Sequence, residues 1–154
     1  MVLGVKVMKL FQIIALFIIQ SCTYAQGKIL DQAVVLSNEF TIELKNNECY
    51  LKSKNISNVL SVKPPCYFLR SNGVIEQHSY TDIKVNSVFI VIGTPISMGT
   101  RKEWGLAKKD ICGSDAQGIL IKNNKVEISN KVLQGGVMCK DKGTDEKNFW
   151  YFSH

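Results

Sequence analysis

Five cysteines, two histidines and thirteen carboxylates are the residues of this 154-residue chain whose types suit chemistry. The cysteines stand at Cys22, Cys49, Cys66, Cys112 and Cys139. A zinc site needs close ligand spacing such as Cys-x-x-Cys, or histidines grouped with a cysteine pair; neither pattern occurs. Nucleophilic catalysis needs a base within reach of the nucleophile. His78 precedes Ser79, with Asp82 close behind, but neighbours on a strand face opposite sides, so the group reads as a polar turn. His154 is the last residue, where chain ends fray. Glycosidase chemistry needs two acids at a fixed separation. Glu103, Asp110, Asp115 and Glu127 are available, and no pair among them stands out. The stretch from Gly93 to Gly99 lacks the Lys-Ser/Thr that follows a phosphate loop. The expectation is a chain that is not an enzyme and holds no metal or cofactor.

Residues 1–25 have the order of a secretory signal peptide. Lys6 and Lys9 come first, then the apolar run Leu10–Ile19, broken only by Gln12, then a short polar stretch. That run is about half of the roughly 20 residues a membrane-spanning helix needs. Two ends to the leader are open. Thr23-Tyr24-Ala25 offers small residues for an ordinary cut before Gln26, and this release is the favoured reading. Ile18-Ile19-Gln20-Ser21-Cys22 resembles the lipobox of bacterial lipoproteins, with Ile19, Ser21 and Cys22 carrying the resemblance. The resemblance implies acylation of Cys22 and a lipid anchor. Residues 26–154 are then a single exported domain, in the periplasm or envelope of a bacterium.

Either end to the leader takes Cys22 out of disulfide chemistry. Four cysteines remain, the arithmetic of two disulfides in an oxidising compartment. Three pairings are possible. The local one, Cys49–Cys66 with Cys112–Cys139, is favoured because each pair brackets a modest segment.

The elements that must carry these residues are strands. Phe40, Ile42 and Leu44 alternate with polar neighbours, the period of a half-buried strand. Asn72-Gly73 between apolar runs signals a hairpin, and Asn123-Asn124 a second one. Asn46-Asn47 marks another turn, and Pro64-Pro65 an edge or turn. Ile83–Ile92, with Val88-Phe89-Ile90-Val91-Ile92, predicts a central strand covered on both faces. Residues 93–105, with Gly93, Pro95, Gly99 and Gly105, read as a long loop, and Leu106–Ile111 as one helical turn. Phe149-Trp150-Tyr151-Phe152 reads as a closing aromatic strand. The fold class expected is mainly β, a small antiparallel barrel or sandwich with room for one short helix.

Composition narrows the function classes. With 45% hydrophobic and 21% charged residues the chain can build a core, which excludes disorder as its main state. Net charge falls from +6 to about +4 once Lys6 and Lys9 are removed. No basic stripe interleaved with aromatics marks a nucleic-acid module. The loop after the central strand carries Ile96, Met98, Arg101 and Trp104, and Trp, Met and Arg are enriched where proteins meet. The reading is an exported protein-binding module, such as an inhibitor or immunity factor against a wall-degrading enzyme, with a membrane contact only if Cys22 is acylated. Two alternatives stay open: a small secreted hydrolase using Asp or Glu, and a membrane-anchored lipoprotein with a structural or ligand-carrying role. Asn55-Ile56-Ser57 also matches a glycosylation sequon.

Overall fold

Tight turns set the frame. A computed structural model describes residues 27–54 and 56–154; the leader, Cys22, Gln26 and the sequon's Asn55 lie outside the described residues. Strands β1 (Lys28–Val35), β2 (Asn38–Lys45), β3 (Glu48–Ser53) and β4 (Ile56–Val59) form one antiparallel sheet in chain order. Asn46 and Asn47 join β2 to β3 with φ of 51° and 60°, the left-handed pair that matches strand twist. Leu36 and Ser37 join β1 to β2 in the same way, at 47° and 62°. Neither of those two is Asn, Asp or Gly, the types that favour this left-handed pair, so that hairpin carries no sequence signal. Asn38 supports it by donating through Nδ2 to the Leu36 carbonyl at 3.0 Å.

The second sheet is built on two long strands, β9 (Val85–Pro95) and β10 (Cys112–Lys122). On one side of β10 lie β11 (Lys125–Leu133) and β12 (Met138–Cys139); on the far side of β9 lie β5 (Tyr67–Phe68) and β8 (Gln77–Tyr80). A separate ribbon pairs β6 (Arg70–Ser71) with β7 (Val74–Ile75) through Asn72-Gly73. The two expected hairpins are present: Asn72 and Gly73 have φ of 51° and 80°, Asn123 and Asn124 of 49° and 60°.

The architecture is an antiparallel sandwich with a helix on its outer side, not a closed barrel. Phe89 and Val91 of β9 face the first sheet and share a core with its Phe40, Ile42 and Leu51 and with Phe68, Ile119 and Ile121 of their own sheet. Val88, Ile90 and Ile92 face the other way, onto Leu69, Leu120, Phe149 and Phe152. Both faces of β9 are therefore covered, which is why its sequence runs apolar without alternation. The disulfides pair Cys49 with Cys66 and Cys112 with Cys139. The first lies in the core between the sheets; the second joins residues directly opposite on β10 and β12.

An ion pair ties the first sheet to the β6–β7 ribbon. A register shift in β1 between Ile29 and Asp31 re-aims Asp31 towards β5 and β6, as bulges do. The Arg70 guanidinium grips that carboxylate with Nη1 at 2.6 Å and Nη2 at 2.9 Å. The Phe68 amide donates to the same group at 3.0 Å, and the Lys140 ammonium stands 3.6 Å away.

Three local expectations are corrected. Residues 149–152 are helical, not a strand: α2 spans Glu146–Ser153. Asp145 caps it by accepting from the Lys147 amide at 2.9 Å. Phe149 and Phe152, three apart, then share the buried face. The helix seats on Gly118, where an added Cβ would overlap the Cβ of Phe152 and lie 2.6 Å from its Cγ. Secondly, residues 93–105 are not one loop. β9 continues to Pro95, and a helix α1 occupies Met98–Glu103, begun by Ser97 accepting from the Thr100 amide at 3.0 Å. Thirdly, the expected helical turn at Leu106–Ile111 is an irregular return, because Gly105 at φ 60° ends α1 before it.

Candidate functional site

The excursion from Ile96 to Ile111 stands off the sandwich, and none of its residues is buried. Polar bonds hold it together in place of a core. Arg101 Nη2 donates to the carbonyls of Ala107 at 2.8 Å and Asp110 at 2.6 Å. Asp110 Oδ2 accepts from the Ala107 amide and from Lys142 Nζ, both at 3.0 Å. The Lys142 hydrogen bond holds the Asp110 carboxyl below the usual carboxylate range, aided by the Ala107 amide and the charges of Lys142 and Lys109 against a smaller burial effect. The Cys112–Cys139 disulfide fixes the base of the excursion.

The four expected contact residues divide. Met98 and Trp104 point outward, 71% and 61% exposed. Ile96 and Arg101 are half-buried, and Arg101 braces the return. Beneath the tip, the hollow lined by Pro65, Tyr67, Pro95 and Ile111 holds about 30 Å³, room for a water and not for a side chain. A wider hollow of about 290 Å³ lies beside the return, between Lys109, Asp110 and Ile111 and the segment Cys139–Lys142.

A second exposed aromatic surface lies on α2, and the sequence reading missed it. Trp150 is 53% exposed, and Tyr151 also reaches solvent. The His154 ring stacks on Trp150 with centroids 4.3 Å apart and planes 14° from parallel. Tyr80 meets His154 edge-on at 5.3 Å. Trp150, His154 and Tyr80 thus form one row. Tyr151 sits beside it with Lys131 Nζ 4.9 Å over its ring. The chain end is bonded into place: Lys131 Nζ donates to the Tyr151 carbonyl at 3.0 Å, and Ser129 Oγ to that of Phe152 at 3.3 Å. The signal that could have found this surface was Asp145 as a cap, followed by phenylalanines three apart.

The residues considered for catalysis are dispersed. His78 and Ser79 are neighbours on β8 and face opposite sides: His78 lies on the α2 side, its ring 4.4 Å from Phe149 and its Nδ1 3.9 Å from Glu146 Oε1, while Ser79 is exposed. Asp82 is in a 3₁₀ turn, Glu103 on α1 and Glu127 on β11. Asp115 accepts from Thr94 Oγ1 at 2.7 Å and from Ser114 Oγ at 3.2 Å. Among the described residues, no three His, Cys, Asp or Glu side chains converge on a metal-sized space, and no helix is long and apolar enough to cross a membrane. Comparison with family models, curated proteins and solved structures finds no match, so the functional reading rests on this chain's own geometry.

Proposed function

We propose that the chain is an exported binding module that holds another protein at the bacterial envelope, with the aromatic face of α2 as the contact. The observation that carries this reading is the row in which Trp150 of α2, His154 at the helix end and Tyr80 of β8 stack together. Phe149 and Phe152 lock that helix to the sheet. Exposed rings held rigid lose little freedom on binding, and Trp and Tyr dominate the energetics of protein contacts. Two disulfides and a sandwich core suit a scaffold that keeps its shape outside the cytoplasm. An inhibitor or immunity factor against a wall-degrading enzyme is the version of this role that needs rigidity and no catalytic set.

The test is photo-crosslinking in whole cells from a benzoylphenylalanine placed at Tyr151. The expected result is one discrete protein adduct that disappears when Trp150→Ala is added to a chain that still melts cooperatively. Diffuse adducts, or an adduct indifferent to Trp150, would count against the reading.

A further inference from the structure

The α1 tip carries a different chemistry from the α2 face, and we infer that it docks on an anionic lipid surface without needing an acyl chain. The inference rests on the export reading above. At the tip, Met98 and Trp104 are the most exposed large apolar residues. Four cations, Arg101, Lys102, Lys108 and Lys109, stand against two carboxylates, Glu103 and Asp110. Arg101 and Asp110 are already committed to the brace, through the backbone carbonyls and Lys142 respectively. The three lysines are exposed, and none stands in an ion pair among the described residues. What faces outward is therefore one tryptophan and one methionine rimmed by lysine, with Glu103 as the opposing charge.

The choice of occupant follows from that rim. Lysine is depleted where proteins meet and arginine enriched; here the arginine is turned inward and the lysines outward. A lipid surface reverses that preference. Each lysine near an anionic leaflet raises partitioning by about fivefold, and tryptophan settles at the headgroup level with its ring in the acyl boundary.

The experiment uses the chain expressed with its leader and recovered in processed form from the periplasm. It carries Cys22→Ala to remove any acyl anchor and Trp150→Phe to leave Trp104 as the only tryptophan. Vesicles of phosphatidylglycerol mixed with phosphatidylcholine are compared with phosphatidylcholine alone. The expected result is co-sedimentation with the anionic vesicles only, a blue shift of Trp104 emission, and weakening by salt. Lys102→Gln, Lys108→Gln and Lys109→Gln together should lower partitioning by roughly a hundredfold. Trp104→Ala should weaken it with the melting temperature unchanged. A processed chain that ignores both vesicle types, or binds them equally, overturns the inference and leaves the tip to an acidic protein partner. A chain kept uncleaved in the cytosol fails the export reading, and the inference with it.

Discussion

Arg70→Met is the substitution whose cost can be worked most directly from the structure. The Arg70 and Asp31 side chains are only 12% and 8% exposed, so solvent screens their charges little. Removing the guanidinium deletes two bonds to the carboxylate and two to backbone carbonyls, of 2.7 Å to Gln32 and 3.1 Å to Phe68. Breaking one partner out of a buried pair costs about 3–5 kcal/mol, because the other charge is left without compensation. Here the Phe68 amide and the Lys140 ammonium remain beside Asp31, which puts the expected loss near the lower end, about 3 kcal/mol. For a domain of this size that is a fall of about 10 °C in melting temperature. Urea unfolding followed by tryptophan fluorescence reads it. The double variant Asp31→Asn with Arg70→Met removes both charges and should return to within about 1 kcal/mol of the parent. A loss under about 1 kcal/mol for Arg70→Met would refute a desolvated pair. A double variant no better than the single would assign the loss to packing of the arginine stem instead.

Three further outcomes are expected. Gly118→Ala should cost about 1–3 kcal/mol by pushing Phe152 off the sheet, and Trp150 fluorescence should report the displaced helix; an unchanged melt and spectrum would mean that α2 is not seated there. Asp110 has a lowered pKa in the folded chain, so its stabilisation is complete above the unfolded value and is lost as pH falls through the folded one; the protection of the Ala107 amide, its exchange rate relative to an unstructured chain at the same pH, should therefore hold at neutral and mildly acidic pH and fall only below the ordinary carboxylate range, a change that Asp110→Asn abolishes. Replacing Leu36-Ser37 by Asn-Gly should stabilise by about 1 kcal/mol, since two ordinary residues now occupy the left-handed region; a lower melting temperature would show that Leu36 is held there by packing.

The sequence and the structure agree where the information is local. The turns at Asn46-Asn47, Asn72-Gly73 and Asn123-Asn124 were legible because Asn and Gly tolerate positive φ better than other types. The burial of Val88–Ile92 on both faces was legible because an unbroken β-branched run has no solvent side. The turn at Leu36-Ser37 was not, since its residues oppose the conformation that the flanking strands impose. The contact surfaces were half legible. Met98 and Trp104 could be marked as residues that interfaces use, whereas Arg101 took an internal role because the nearby carbonyls of Ala107 and Asp110 needed a donor.

By itself the sequence determined the β class, the favoured disulfide pairing and the hairpins, all of which follow from alternation, cysteine spacing and turn chemistry within a few residues. Only the tertiary structure decided that Phe149-Trp150-Tyr151-Phe152 coils into a helix and turns Trp150 outward. Four aromatic residues suit a strand as well as a helix, and the outcome depended on Gly118 leaving a flat seat on a strand about thirty positions away. The brace between Asp31 and Arg70, 39 residues apart, was decided in the same way. A charge buries itself only where folding brings its counter-charge into the same dry space, and no pattern along the chain records that meeting.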